Sequence, residues 1–497
     1  MKFVSPGKHK GVEALRAHLA EVAAALGRPG ELDCAETVPA GDSALGAALE
    51  VDGLRIGNRF CVHPMEGWDG TLDGGPSDLT LRRWRRFGES GAKLIWGGEA
   101  FAVQADGRAN PNQLCATPTR DVEADLARLR AAVLDAHAAA FGATDDLVLG
   151  LQLTHSGRWS RPTADGPAPR IGWWHAVLDG RMGLRPDDPA TQPLTDGELE
   201  AIGERYVEVA KAANAVGFDF VDVKCCHGYL LHELLGARER PGPYGGDLAG
   251  RARLLLRIVD AIRAEVPDLR IGSRISAVDV AVHGPRAGDG VGEPVGRAPG
   301  EPPRSGFGVH PTDPSDYAID EPATVMGWLA ERGVRLFNVS IGSPYTCPHL
   351  QRPATYPPVD GYLPPEDPLQ SVARHLFLVR DLRRAVPGAV VVGTGYSYLQ
   401  EWLAHVAEHE LAAGHVDAIG LGRMVLSYPG LPTDVLAGES LERRLLCRTF
   451  SDCTNAPRKG LVSGCYPLDP FYKQRPERET LEAHKRAARA RRNEIPS

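Results

Sequence analysis

The sequence predicts an α/β protein folded as a (β/α)8, or TIM, barrel, with a long Gly/Pro-rich loop after strand five and a C-terminal extension. Three observations predict it. A short apolar, β-branched run, a small or polar loop and a helix-period segment follow one another repeatedly, and such alternation means parallel strands joined by right-handed crossovers. The pattern occurs eight times, the number that closes a barrel, where six would suggest an open doubly wound sheet. A chain of 497 residues is long enough for one large barrel with additions.

The eight runs are "NRFCVHPME" (58–66), "AKLIWGGE" (92–99), "LVLGLQLTHSG" (147–157), "FDFVDVKCC" (218–226), "LRIGSRISAV" (269–278), "VRLFNVSIGS" (334–343), "GAVVVGTGYS" (388–397) and "VDAIGLGR" (416–423). Between them, "TDGELEAIGERYVEVAKAANAVG" opens on a capping box, Thr195 and Glu198, before apolar residues at helical spacing. "AGRARLLLRIVDAIRAEV" and "PLQSVARHLFLVRDLRRAV" carry the same period. This divides the chain into a helical lead-in (1–45), the barrel (46–440) and a Cys-containing extension with a basic helical tail (441–497). Residues 284–316 are so rich in Gly and Pro that a mobile loop is expected there, with the composition of a lid.

The balance of 43% hydrophobic and 24% charged residues at net charge −8 is that of a soluble globular protein. Mild acidity with mixed signs argues against a nucleic-acid or anionic-membrane partner. No apolar run approaches the roughly 18 residues of a spanning helix. The first 27 residues carry a basic amphipathic pattern rather than a signal core, so a cytoplasmic location is expected. Nine cysteines, an odd number, suggest free thiols.

Barrel enzymes carry their chemistry on the loops after strand C-termini. Those ends offer Met65 and Glu66, Gly98, Gln152, Lys224 with His227 and Tyr229, Arg274, then "GTG" (393–395) and "GLGR" (420–423). Glycine-rich turns after the last two strands, beside helix N-termini, make a phosphate pocket, with Arg423 as its fixed charge. Residue chemistry alone leaves His227 open as a core or cap histidine, Tyr229 as a packing residue, and Cys225 and Cys226 as packing.

At this point the chain resembles the old yellow enzyme family of FMN-dependent oxidoreductases, over roughly residues 55–435. "NRFCVHPMEG" resembles its first-strand signature and "LQLTHSGR" its third. "GFDFVDVKCCHGYLLHELL…RPGPYGGDLAGRARLLLRIVDAIR" is similar to its most diagnostic block, and "IGSRIS", "VVVGTG" and "IGLGR" follow in order. The resemblance implies that Pro64 and Met65 cover the flavin, Gln152 bonds its pyrimidine edge and Arg274 balances charge near N1. It further implies that Gly393, Gly395, Gly422 and Arg423 hold the phosphate, with Glu66 and Gly98 among the flavin contacts. Lys224 and His227 fall where the family binds a substrate carbonyl, and Tyr229 where it donates a proton. The implied activity is hydride transfer from reduced flavin N5 to a carbonyl- or carboxyl-conjugated C=C, with NADH or NADPH as reductant. Alternatives are an FMN-dependent dehydrogenase serving a protein acceptor, and a non-redox barrel binding a phosphate ligand. A small unsaturated molecule is the expected partner, together with homo-oligomerisation.

Three departures stand out. Lys224 replaces the family's histidine and adds charge, which suits an anionic or carboxylate-activated alkene. Glu66 replaces a Thr or Cys; it either touches the flavin or pairs with Lys224 or an arginine. Longer relatives hold a 4Fe-4S cluster on four cysteines after the barrel. Here Cys447, Cys453 and Cys465 are one short, so no cluster is expected and a patch of structural thiols is. No GxGxxG follows the barrel.

Overall fold

The computed structural model describes residues 3–493, and in it all eight predicted runs lie in one closed parallel barrel. In order the strands are Phe60–Val62, Leu94–Ile95, Val148–Thr154, Phe220–Val223, Arg270–Val278, Leu336–Ile341, Val390–Gly393 and Ala418–Leu421. Closure is made by the first strand, where Cys61 pairs with Leu94 on one side and Gly420 on the other. The outer layer includes Asp78–Gly88, Val122–Phe141, Asp196–Ala215, Leu248–Glu265, Asp320–Glu331, Pro368–Ala385 and Leu403–Ala412. The Thr195–Glu198 capping box forms as predicted, each partner accepting from the other's backbone N–H at 3.2 and 2.8 Å. Two orphan donors of the helix end are thereby satisfied.

The second strand is interrupted. After Leu94–Ile95 it turns at Gly97 (φ 114°) and Gly98 (φ 55°), then resumes pairing with strand three at Ala100–Ala102. A Cβ on Gly97 would lie 2.6 Å from the Gln152 nitrogen, so close backbone approach requires glycine there.

Alternation along strand four organises the barrel interior. Phe220 meets Trp96 edge-on at 5.1 Å in an apolar floor, which the hairpin Leu49–Val51/Leu54–Ile56 covers from below. Two residues on, Asp222 stands in a polar middle layer, and Lys224 reaches the mouth. Val221, Val223 and Cys225 face the surrounding helices.

The Gly/Pro-rich segment has more structure than its composition suggests. It contains the hairpin His283–Pro285/Gly292–Pro294, buries Phe307, and accepts a backbone bond from Asp279 at 2.7 Å. Helix Val12–Ala25 of the lead-in packs on Pro368–Ala385. The extension returns to the barrel: Ser463 N–H donates to the Gly67 carbonyl at 2.7 Å, and Arg82 pairs with Asp469 at 3.0 Å. Helix Glu477–Asn493, the basic tail, docks through buried Leu481 and a 3.0 Å Lys485–Asp452 pair. Among the described residues, no helix is long and apolar enough to cross a membrane.

Candidate active site

The C-terminal ends of the strands open into one cavity of about 990 Å³. It brings together eleven of the thirteen residues singled out in the sequence: Pro64, Met65 and Glu66 from strand one, Gln152 from strand three, Lys224, His227 and Tyr229 from strand four, Arg274 from strand five, then Gly395, Gly422 and Arg423. Gly98 and Gly393 lie behind the wall instead. The Gly98 carbonyl accepts from Met65 N–H at 2.9 Å, and a side chain at either position would strike Trp84 or Tyr396. Their place is to hold the strand ends.

Asp222, fully buried, anchors the middle layer. It accepts from Trp96 Nε1 at 2.7 Å, Gln152 Nε2 at 2.6 Å and the Arg274 N–H at 2.6 Å. Burial pushes its carboxyl up to about 6, against those three donors. With one N–H of Gln152 Nε2 committed to Asp222, the second N–H and the amide oxygen are left for a ligand. Arg274 is buried without an ion pair among the described residues, and its Nε finds no acceptor.

At the mouth, Tyr229 OH donates to Glu66 Oε1 at 2.6 Å and lies 3.5 Å from Tyr345 OH. Lys224 Nζ is 3.9 Å from the same Glu66 oxygen and 3.9 Å from the Tyr229 ring centroid. Burial lowers the Lys224 amine, while burial and the Glu66 charge hold the Tyr229 phenol well above its ordinary value. Glu66 thus pairs with Tyr229 and Lys224. His227 adopts φ 65° at the strand-to-helix corner, with its N–H donating to Ser276 Oγ at 2.9 Å. Its Nε2 meets the Gln351 amide nitrogen at 3.1 Å, and burial followed by the Arg274 charge keeps the imidazole neutral.

At the opposite end lie Thr394, Gly395 (φ 100°), Ser397 and Arg423. Arg423 donates to the Pro353 carbonyl at 2.6 Å, and its Nη1 has no acceptor. Arg352 joins it, with its guanidinium lowered to about 10 by burial and by the neighbouring Arg423 charge, against the Cys453 thiol. Two guanidiniums near enough for one charge to act on the other, neither ion-paired with a carboxylate among the described residues, suit an anion. The unspent donors of Arg274 and Arg423 therefore fit FMN, a flavin with one phosphate.

Sequence reasoning missed Arg352, Gln351 and Tyr345, which ride on the irregular loop after strand six. It also missed Asp222 and buried His63, which bonds Asn338 at 3.0 Å. Asp222 did leave a signal, a carboxylate inside an apolar strand. The three extension cysteines lie near one another, and burial followed by the neighbouring Cys447 and Cys453 thiols pushes the Cys465 thiol up. Arg352 donates to Cys453 Sγ at 3.8 Å, and the six other cysteines are buried at sites elsewhere in the chain.

A profile of the NADH:flavin oxidoreductase / NADH oxidase family matches residues 47–291. An NADH:flavin oxidoreductase of Gibberella zeae is 24% identical over 415 residues, 80% of this chain and 87% of that protein. An NADPH dehydrogenase of a Geobacillus species is 28% identical over 247 residues, 48% of this chain and 64% of that enzyme. A 2-naphthoyl-CoA reductase bound to 2-naphthoyl-CoA superposes with TM-score 0.62 at 16% identity, over 86% of this chain and 57% of that one, a likeness of fold. The chain belongs to the NADH:flavin oxidoreductase / NADH oxidase family, the old yellow enzyme family of FMN-dependent NAD(P)H oxidoreductases.

Proposed function

We propose that the protein reduces an activated C=C bond conjugated to a carbonyl or carboxyl group, using NADH or NADPH. The observation that supports this best is the convergence on one cavity of two guanidiniums with unspent donors and the Tyr229–Glu66–Lys224 cluster. FMN, when bound, supplies the hydride. Arg423 and Arg352 would hold its phosphate, Gln152 and Arg274 its ring edge. A fixed cation such as Arg274 favours negative charge beside it.

The remaining work falls to the mouth. Lys224 and His227 donate to the substrate's carbonyl oxygen and draw electron density from the β-carbon. Tyr229 delivers the proton to the α-carbon. A phenol held well above its ordinary value stays protonated at neutral pH, as a donor to a basic carbon must. Once the proton leaves, the phenolate would stand beside the Glu66 carboxylate. Lys224 Nζ, 3.9 Å from the ring centroid, offsets that charge, and Tyr345 OH, 3.5 Å from the Tyr229 oxygen, can return a proton.

Rapid mixing of each half-reaction tests this. Tyr229→Phe should keep its flavin and its reduction by NAD(P)H, while reoxidation by alkene slows about 10²–10⁴-fold. Reoxidation at the wild-type rate would make Tyr229 a packing residue.

A further inference from the structure

The cavity is strongly cationic in an acidic protein. Among the described residues its lining holds seven arginines and one lysine against a single glutamate, while the chain carries net charge −8. Several of these charges have an assignment. Arg158 pairs with Asp179 and Glu233, and Arg458 with Asp360. Arg352, Arg423 and Arg274 face the phosphate and ring positions, and Lys224 faces Tyr229 and Glu66.

Arg161 and Arg181 remain. Neither makes an ion pair among the described residues. Arg161 Nε is buried without an acceptor, and its guanidinium lies 5.6 Å from the Trp68 ring. Arg181 is exposed to solvent and donates to the His283 carbonyl at 3.1 Å, so the buried unpaired donor is that of Arg161 alone. A desolvated donor left without an acceptor is a standing cost that a bound anion removes. Both residues sit on the loop that leaves strand three, diametrically across the eight-stranded barrel from strand seven and its phosphate turn. The same cavity has an aromatic wall, with Trp159 and Tyr345 stacked at 4.1 Å and 11° and Tyr345 OH 3.5 Å from Tyr229 OH.

We infer that Arg161 and Arg181 form a second anion site, which selects substrates with a flat apolar body and an anionic group remote from the reacting double bond. This deepens the proposed function and rests on it for the position of that bond. Guanidinium pairs suit a carboxylate or phosphate geometrically, and the aromatic wall suits a conjugated or aromatic spacer.

Calorimetric titration of the oxidised holoprotein with 4-carboxybenzylideneacetone and with benzylideneacetone tests it. The carboxylated enone should bind at least about tenfold more tightly, as charge-assisted bonds to two guanidiniums require. Arg161→Gln with Arg181→Gln should remove that preference while leaving benzylideneacetone affinity and flavin content as they were, and added salt should narrow it. Equal affinities, no binding of the carboxylated enone, or a preference that survives both substitutions overturns the inference. The two readings fail separately: a preference without alkene reduction sinks the function alone, and reduction without a preference sinks the anion site alone.

Discussion

Lys224 is buried at 4% exposure with a carboxylate 3.9 Å away, so its ammonium is only partly compensated. Burial lowers its amine below the ordinary 10.5, which means the folded protein holds that proton less firmly than the unfolded chain. The resulting penalty is fully present below the folded value and disappears as pH rises to 10.5. Lys224→Met should therefore raise stability at pH 7 by about 1 kcal/mol, while slowing flavin reoxidation by alkene. Urea unfolding across pH checks it, and the gain should shrink toward alkaline pH. A destabilised variant at neutral pH would show instead that Glu66 needs the lysine more than the fold suffers from it. Residue identity made Lys224, His227 and Tyr229 visible in the sequence because they crowd one strand end. The donation of Tyr229 to Glu66 was not visible, since it joins residues 163 positions apart.

Strands and helices were the most legible layer, because parallel strands buried on both faces read as continuous apolar runs. The break in strand two was not read, although "WGG" marks it, because only the Gln152 backbone explains why glycine is needed. Loops were least legible. Arg352 and Gln351 have no local pattern; their place follows from how the segment after strand six folds back over the mouth. The turn after strand seven was read as a phosphate pocket from "GTG", and the proposed phosphate site adds Arg352 beside Arg423. Replacing either arginine by alanine should weaken FMN binding about 10–100-fold, the worth of a charge-assisted hydrogen bond, while riboflavin affinity holds. Flavin fluorescence titration of the apoprotein measures both ligands. Equal losses for riboflavin would place the arginines away from a phosphate.

At the scale of the whole molecule, eight strands close the barrel and the extension completes its mouth. Residues 453, 454, 457, 458 and 463 line the same cavity as the strand ends, so a segment that reads as an appendage is part of the wall. That return was illegible in the sequence because it rests on single long-range contacts, such as Ser463 with Gly67 and Arg82 with Asp469. Barrel closure also sets the cavity's layering, with an apolar floor, the Asp222 network above it and the donor cluster at the rim. Such an arrangement suits one flavin with one phosphate, and the central claim is that FMN occupies it. Mass spectrometry of the cofactor released from the purified protein tests that claim most directly. FMN at about one per chain is the predicted result; FAD, or no flavin from a protein reconstituted with excess FMN, would contradict it.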